Sequence, residues 1–146
     1  IFDYFGLGCR NVSKVFVKNQ GQLTDLLDAL EPFSWVANHH KYFNNYEYNK
    51  SIYLVNRTPH LDNGFLLLKE STDLVSPIGV LFYEIYSEAH ELKTKLKDLD
   101  AKIQCVVGNQ TMDLPGIIPF GQTQCPQPWD YADGVDTLQF LSSLGD

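Results

Sequence analysis

The segment Phe5-Gly6-Leu7-Gly8-Cys9-Arg10-Asn11-Val12-Ser13-Lys14 holds the residue types and spacing best suited to covalent chemistry in this chain. Gly6 and Gly8 permit a sharp turn or a close approach of backbone to a ligand, and the charges of Arg10 and Lys14 favour a thiolate at Cys9. A thiolate there is a nucleophile. The competing role is a small apolar residue beside a turn, since free cysteine is commonly buried. Cys105 lies inside an apolar run and Cys125 precedes Pro126, so neither shares the electropositive, glycine-flanked setting and both read as structural. Three cysteines without C-x-x-C spacing argue against a disulfide framework and a zinc knuckle, and suit free thiols in a reducing cytoplasm.

The histidines offer less. His39 and His40 are adjacent, so on a helix they point about 100° apart and cannot grip one ion as an i, i+4 pair does. His60, two residues before Asp62, forms no metal motif either, and no metal site is expected. A dyad of Cys9 with His39 or His60, as in a thiol hydrolase or acyltransferase, is the alternative use of the thiol, and a non-catalytic binding domain is a third reading. Trp35, Trp129 and the eight tyrosines are spaced for packing rather than as a base-stacking platform. Four N-x-S/T triplets begin at Asn11, Asn49, Asn56 and Asn109. Without an export signal or paired cysteines they are outweighed as glycosylation sites.

Strands and helices alternate around these residues. Lys14 to Lys18 is β-branched and aromatic, which predicts a buried strand ending at Asn19-Gln20-Gly21. A helix opens at Gln22 or Thr24, with Leu23, Leu26, Leu27 and Leu30 at helical spacing and Pro32 as its stop. Asn45 to Asn56 is predicted helical, Asp62-Asn63-Gly64 a turn, and Phe65 to Leu68 a buried strand or core turn. Ile78 to Tyr86 reads as a long strand, and Ser87 as the cap candidate of a helix running through Leu92, Leu96 and Leu99. Ile103 to Val107 reads as a further strand beside Lys14 to Lys18 and Ile78 to Tyr86, and a Pro115-Gly116 turn precedes a short Ile117-Ile118 strand. A Pro-rich loop from Gly121 to Gly134 leads to a terminal helix over Asp136 to Leu144. The expectation is one α/β domain with an open, mostly parallel sheet flanked by helices.

Composition narrows the function further. The chain has 146 residues, 44% of them hydrophobic and 20% charged, which excludes a disordered segment. Its 11 Lys and Arg against 18 Asp and Glu give a net charge of −7, the wrong sign for phosphate-backbone binding, so nucleic acid is not an expected partner. No apolar run approaches the ~20 residues of a membrane span. The opening Ile-Phe-Asp-Tyr-Phe reads as neither a start nor a signal peptide, and a fragment of a longer chain is expected.

Gly8-Cys9 ahead of a buried strand resembles the nucleophile segment of the aldehyde dehydrogenase superfamily. Gly64 to Leu68, then Asp73-Leu74-Val75-Ser76-Pro77-Ile78, then a strand and a helix, is similar to that superfamily's strand, E-x-F-G-P-V motif, strand and helix. Asp73 stands where the wider superfamily has Glu, and Ser76 where it has Gly. The segments 38–46, 61–67 and 129–136 extend the likeness over essentially the whole chain to bacterial acyl-CoA reductases of the LuxC type. The resemblance implies reduction of a fatty acyl-CoA to an aldehyde through an acyl-Cys9 thioester, with NADP or NAD as cofactor. It implies that Asp73 meets the nicotinamide ribose, and that Arg10 and Lys14 lower the thiol pKa or meet coenzyme A phosphates. It also implies a dinucleotide-binding half ahead of Ile1, binding most of the cofactor, and allows a homo-oligomer of the full-length protein.

Overall fold

Val, Phe, Leu and Tyr in short runs build a four-stranded sheet in the first part of the chain. The computed structural model describes residues 1–109 and 116–145 and divides into two units, Ile1–Glu91 and Leu92–Asp146. In the first unit β1 (Lys14–Val17), β2 (Leu61–Asp62), β3 (Leu67–Glu70) and β4 (Val80–Ile85) lie in the order β1-β4-β3-β2. β1 and β3 both run parallel to the central β4, with Lys14 opposite Phe82 and Leu67 opposite Val80. β2 returns antiparallel on β3, with Leu61 opposite Leu68. The unit is thus a mixed α/β structure with a mostly parallel open sheet, as the alternation of strands and helices predicts.

Strand alternation sends Val15, Val17, Leu68, Leu81 and Tyr83 to one face and Phe16, Leu67, Val80 and Phe82 to the other. Leu23 and Leu30 of α1 (Gly21–Leu30) and Val36 of the 3-10 run Glu31–Asn38 share a buried cluster with the first set. Tyr46 and Tyr53 of α2 (His40–Val55) share another with Leu67, Val80 and Phe82. A strand covered on both faces must be apolar at consecutive positions, which is why Val80 to Tyr83 are all buried. The helix reaches the sheet closely at Gly79. There φ is +79° and an added Cβ would lie 2.7 Å from Tyr46 Cα, so glycine is required twice over. Asn49 Nδ2 donates to Ile78 O (3.1 Å) beside it.

A polar cluster ties α2 to β2. Tyr46 Oη donates to Asp62 Oδ1 (2.6 Å), Lys50 Nζ pairs with Asp62 Oδ2 (2.8 Å), and the Gly64 N–H donates to Asp62 Oδ1 (2.8 Å). Burial, then the bond to Asp62, pushes Tyr46 up to about 12. Burial alone would raise Asp62, but the hydrogen bonds from Lys50, Tyr46 and Gly64 outweigh it and hold the carboxyl below its ordinary 3.8.

Boundaries depart from the sequence reading where side chains or turns intervene. α2 begins at His40, five residues before Asn45, because His39 Nδ1 accepts from the Tyr42 N–H (3.2 Å) and caps the helix. α1 ends at Leu30 as Pro32 requires, and the chain continues as a 3-10 run. The helix after β4, α3 (Ala89–Asp98), starts two residues beyond Ser87. The strand expected over Ile103–Val107 is corrected. The Ile103 N–H closes a turn onto Asp100 O (3.1 Å), and only Val106–Val107 (β5) of that run pair as a strand. It pairs parallel with β6 (Ile117–Ile118) in a separate two-stranded sheet, and so does not neighbour β1 and β4. α4 (Thr137–Ser143) closes the second unit, capped by Asp136, whose Oδ1 accepts from the Gln139 N–H (3.0 Å). Pro115 of the expected turn, and Gln110 and Thr111 of the Asn109 triplet, lie outside the described residues.

Candidate functional site

Cys9 sits exposed on a turn closed by the Asn11 N–H donating to Gly8 O (3.0 Å). Asn11 also fixes that turn against the start of the chain, its Nδ2 donating to Ile1 O (3.0 Å) and Asp3 O (2.6 Å). A Cβ at Gly8 would have to displace Asn11 Oδ1. Upstream, Tyr4 (φ 52°), Phe5 (φ 56°) and Gly6 (φ 78°) form a left-handed turn. For the two non-glycine residues that conformation costs on the order of 1–2 kcal/mol each, a strain of the kind concentrated at functional segments. It lays the Phe5 ring flat on His39, with centroids 3.6 Å apart and planes 14° from parallel. Among the described residues the Cys9 N–H donates to no acceptor, which leaves it open to a ligand oxygen.

The other expected site residues fall in three settings. Asp73 is exposed in the loop joining β3 to β4, its Oδ2 accepting from Ser71 Oγ (3.2 Å) and its N–H donating to the same Oγ (3.1 Å). Its Oδ1 accepts no hydrogen bond among the described residues. Arg10 is half-buried beside Cys9. Lys14 is on β1 with its side chain only 4% exposed, its Nζ donating to Glu84 Oε2 (2.8 Å) and Ser71 O (2.9 Å). Its charge is therefore balanced within the sheet.

Two hydrogen bonds bring the Cys9 and Asp73 segments together. Ser13 Oγ donates to Leu74 O (2.7 Å), and Lys14 Nζ reaches Ser71 O. Sequence reasoning missed Ser13, Ser71, Glu84 and Asn11. One signal was available: a lysine in a strand otherwise apolar requires a counter-charge, and Glu84 is the acidic residue within the apolar run of β4. The histidines do not join Cys9. His39 Nδ1 is occupied by the Tyr42 N–H, His60 Nδ1 meets Thr58 O (2.8 Å), and no hydrogen bond links either ring to the thiol among the described residues. Among those residues no group of His, Cys, Asp and Glu could hold a metal, and no helix is long and apolar enough to cross a membrane. Cys105 is half-buried and Cys125 exposed. Of the glycosylation triplets, Asn11 and Asn49 have their Nδ2 groups committed to backbone carbonyls.

Comparison with protein-family models, with curated proteins and with solved structures finds no match to this chain.

Proposed function

We propose that this chain carries the cysteine nucleophile of a bacterial, cytoplasmic acyl-CoA reductase of the aldehyde dehydrogenase superfamily, which reduces a fatty acyl-CoA to the fatty aldehyde. The observation that carries the reading is an exposed Cys9 on a glycine-bounded turn, with the Asp73 loop hydrogen-bonded to the residues that lead from that turn into β1. Cys9 thiolate adds to the thioester carbonyl, and the unengaged Cys9 N–H donates to the developing oxyanion. The intermediate collapses by breaking the bond to coenzyme A, whose thiolate leaves and takes a proton from solvent. An acyl-Cys9 thioester remains. The nicotinamide cofactor, held mainly by the dinucleotide-binding half that the resemblance implies, supplies a hydride when bound. Asp73 Oδ1 would hold a hydroxyl of its ribose, and Cys9 leaves as thiolate when the aldehyde is released. A serine ester would be less electrophilic and its alkoxide a poorer leaving group, which is the chemical reason for cysteine at this position. Arg10 is the candidate contact for coenzyme A phosphates.

Incubation with a fatty acyl-CoA followed by peptide mass spectrometry tests the reading. The acyl group is expected on the Cys9 peptide and absent from Cys9→Ala. Acylation of Cys105 or Cys125 instead, or none, would overturn it. NADPH or NADH oxidation with acyl-CoA is expected only when the dinucleotide-binding half is present, because the hydride must be held against the thioester.

A further inference from the structure

We infer that Lys14 is a positioning residue: paired with Glu84, it holds the Ser71–Asp73 segment against the start of β1 and so sets where the Asp73 carboxylate sits. The inference rests on the reading of Asp73 as a cofactor contact. A lysine side chain 4% exposed in a four-residue strand is costly to desolvate, and an apolar residue of similar volume would often serve stability as well. Its two charge-assisted bonds are divided between the sheet, at Glu84, and the loop, at Ser71 O. From Ser71 the connection is direct, since the same residue's Oγ donates to Asp73 Oδ2 and accepts from the Asp73 N–H. Ser13, the preceding residue, grips Leu74 O on the other side of Asp73. Two consecutive residues at the mouth of β1 therefore hold the loop on both flanks of the carboxylate. A Lys14 engaged this way would have to abandon Glu84 and Ser71 to reach a phosphate, so its role is to place Asp73 rather than to bind coenzyme A.

The test compares the unsubstituted protein with Lys14→Arg, Ser13→Ala and the double variant Lys14→Met/Glu84→Gln, which removes the loop bond and the Glu84 charge together. Hydrogen exchange of the Asp73 amide is expected to quicken about tenfold in the double variant, the factor a charge-assisted hydrogen bond supports. Ser13→Ala should quicken it too, while Lys14→Arg, which can keep both bonds, should restore most of the protection. In the reductase with its dinucleotide-binding half, the double variant should raise the KM for the nicotinamide cofactor and spare that for acyl-CoA. Unchanged Asp73 exchange in the double variant, or a rise in the acyl-CoA KM in place of the cofactor KM, overturns the inference. Absence of reductase turnover in the unsubstituted protein instead overturns the functional reading, and the exchange measurement then decides the positioning of the loop by itself.

Discussion

At Gly79 two demands fall on one residue: a left-handed backbone and a helix backbone within van der Waals reach. Gly64 has the first without the second, with φ +93° and nothing near its Cβ position. The pair therefore separates strain from crowding. Gly64→Ala is expected to cost about 1 kcal/mol from strain alone, and Gly79→Ala about 3 kcal/mol, since Tyr46 must also be displaced. Denaturant midpoints at constant m-value check both numbers. The cysteines allow a similar contrast. Cys9 and Cys125 are both exposed, so exposure cannot distinguish them, and Cys105 is half-buried. On the proposed nucleophilic role, alkylation by iodoacetamide followed by peptide mass spectrometry is expected to run fastest at Cys9, then Cys125, then Cys105. Equal rates at Cys9 and Cys125 would leave exposure as the only cause.

At the scale of the element, α2 depends on a cap at its start and a polar cluster at its middle. His39→Ala removes the cap and is expected to cost about 1 kcal/mol. His39→Asn should restore the cap while losing the ring against Phe5, so any deficit that survives measures the stack. The Tyr46, Lys50 and Asp62 cluster ties the helix to β2 and makes stability depend on pH from two sides. The folded Asp62 carboxyl binds its proton more weakly than the unfolded one, so its contribution is complete above 3.8 and fades as the pH falls through the lower folded value. Tyr46 holds its proton more tightly when folded, so its contribution is complete below 10.0 and fades as the pH rises toward about 12. Thermal melts of Asp62→Asn should show a flatter acid limb, and those of Tyr46→Phe a flatter alkaline one. The leucine spacing of α1 and the β-branched runs of β1 and β4 made those elements legible in the sequence. The first turn of α2 was not, because its cap is an imidazole rather than one of the usual Ser, Thr, Asp or Asn caps, and because Asn and Tyr blur its apolar periodicity.

For the whole molecule, the sheet and the short ladder of the second unit differ in what supports them. Val80 to Tyr83 sit in a strand paired on both edges and buried, whereas β5 and β6 are two residues each and half-buried. Amide exchange of Leu81 and Phe82 should therefore report global unfolding, and that of Gly108, which donates to Ile118 O (3.1 Å), should proceed by local opening at a far lower free energy. Equal protection would contradict that division. Val106 and Val107 show why sheet membership was illegible: β propensity marks an extended segment, but its partner depends on a turn at Ile103 that composition does not announce. The candidate site was half legible in the same sense. Its glycines and Cys9 are local in sequence, and the Lys14 to Glu84 pair is not.

The bonds from Ser13 to Leu74 and from Lys14 to Ser71 span 61 and 57 residues of chain. Closing such loops is entropically slow, whereas α2, β2, β3 and β4 lie within one continuous stretch and can assemble first. Docking of β1 on the edge of β4 is then the expected later step, and it is the one that makes the thiol turn and the carboxylate loop neighbours. The pairing of these two segments is therefore expected late in the folding of the first unit. In a slow unfolding experiment the selective reactivity of Cys9 should disappear while most of the far-ultraviolet circular dichroism remains.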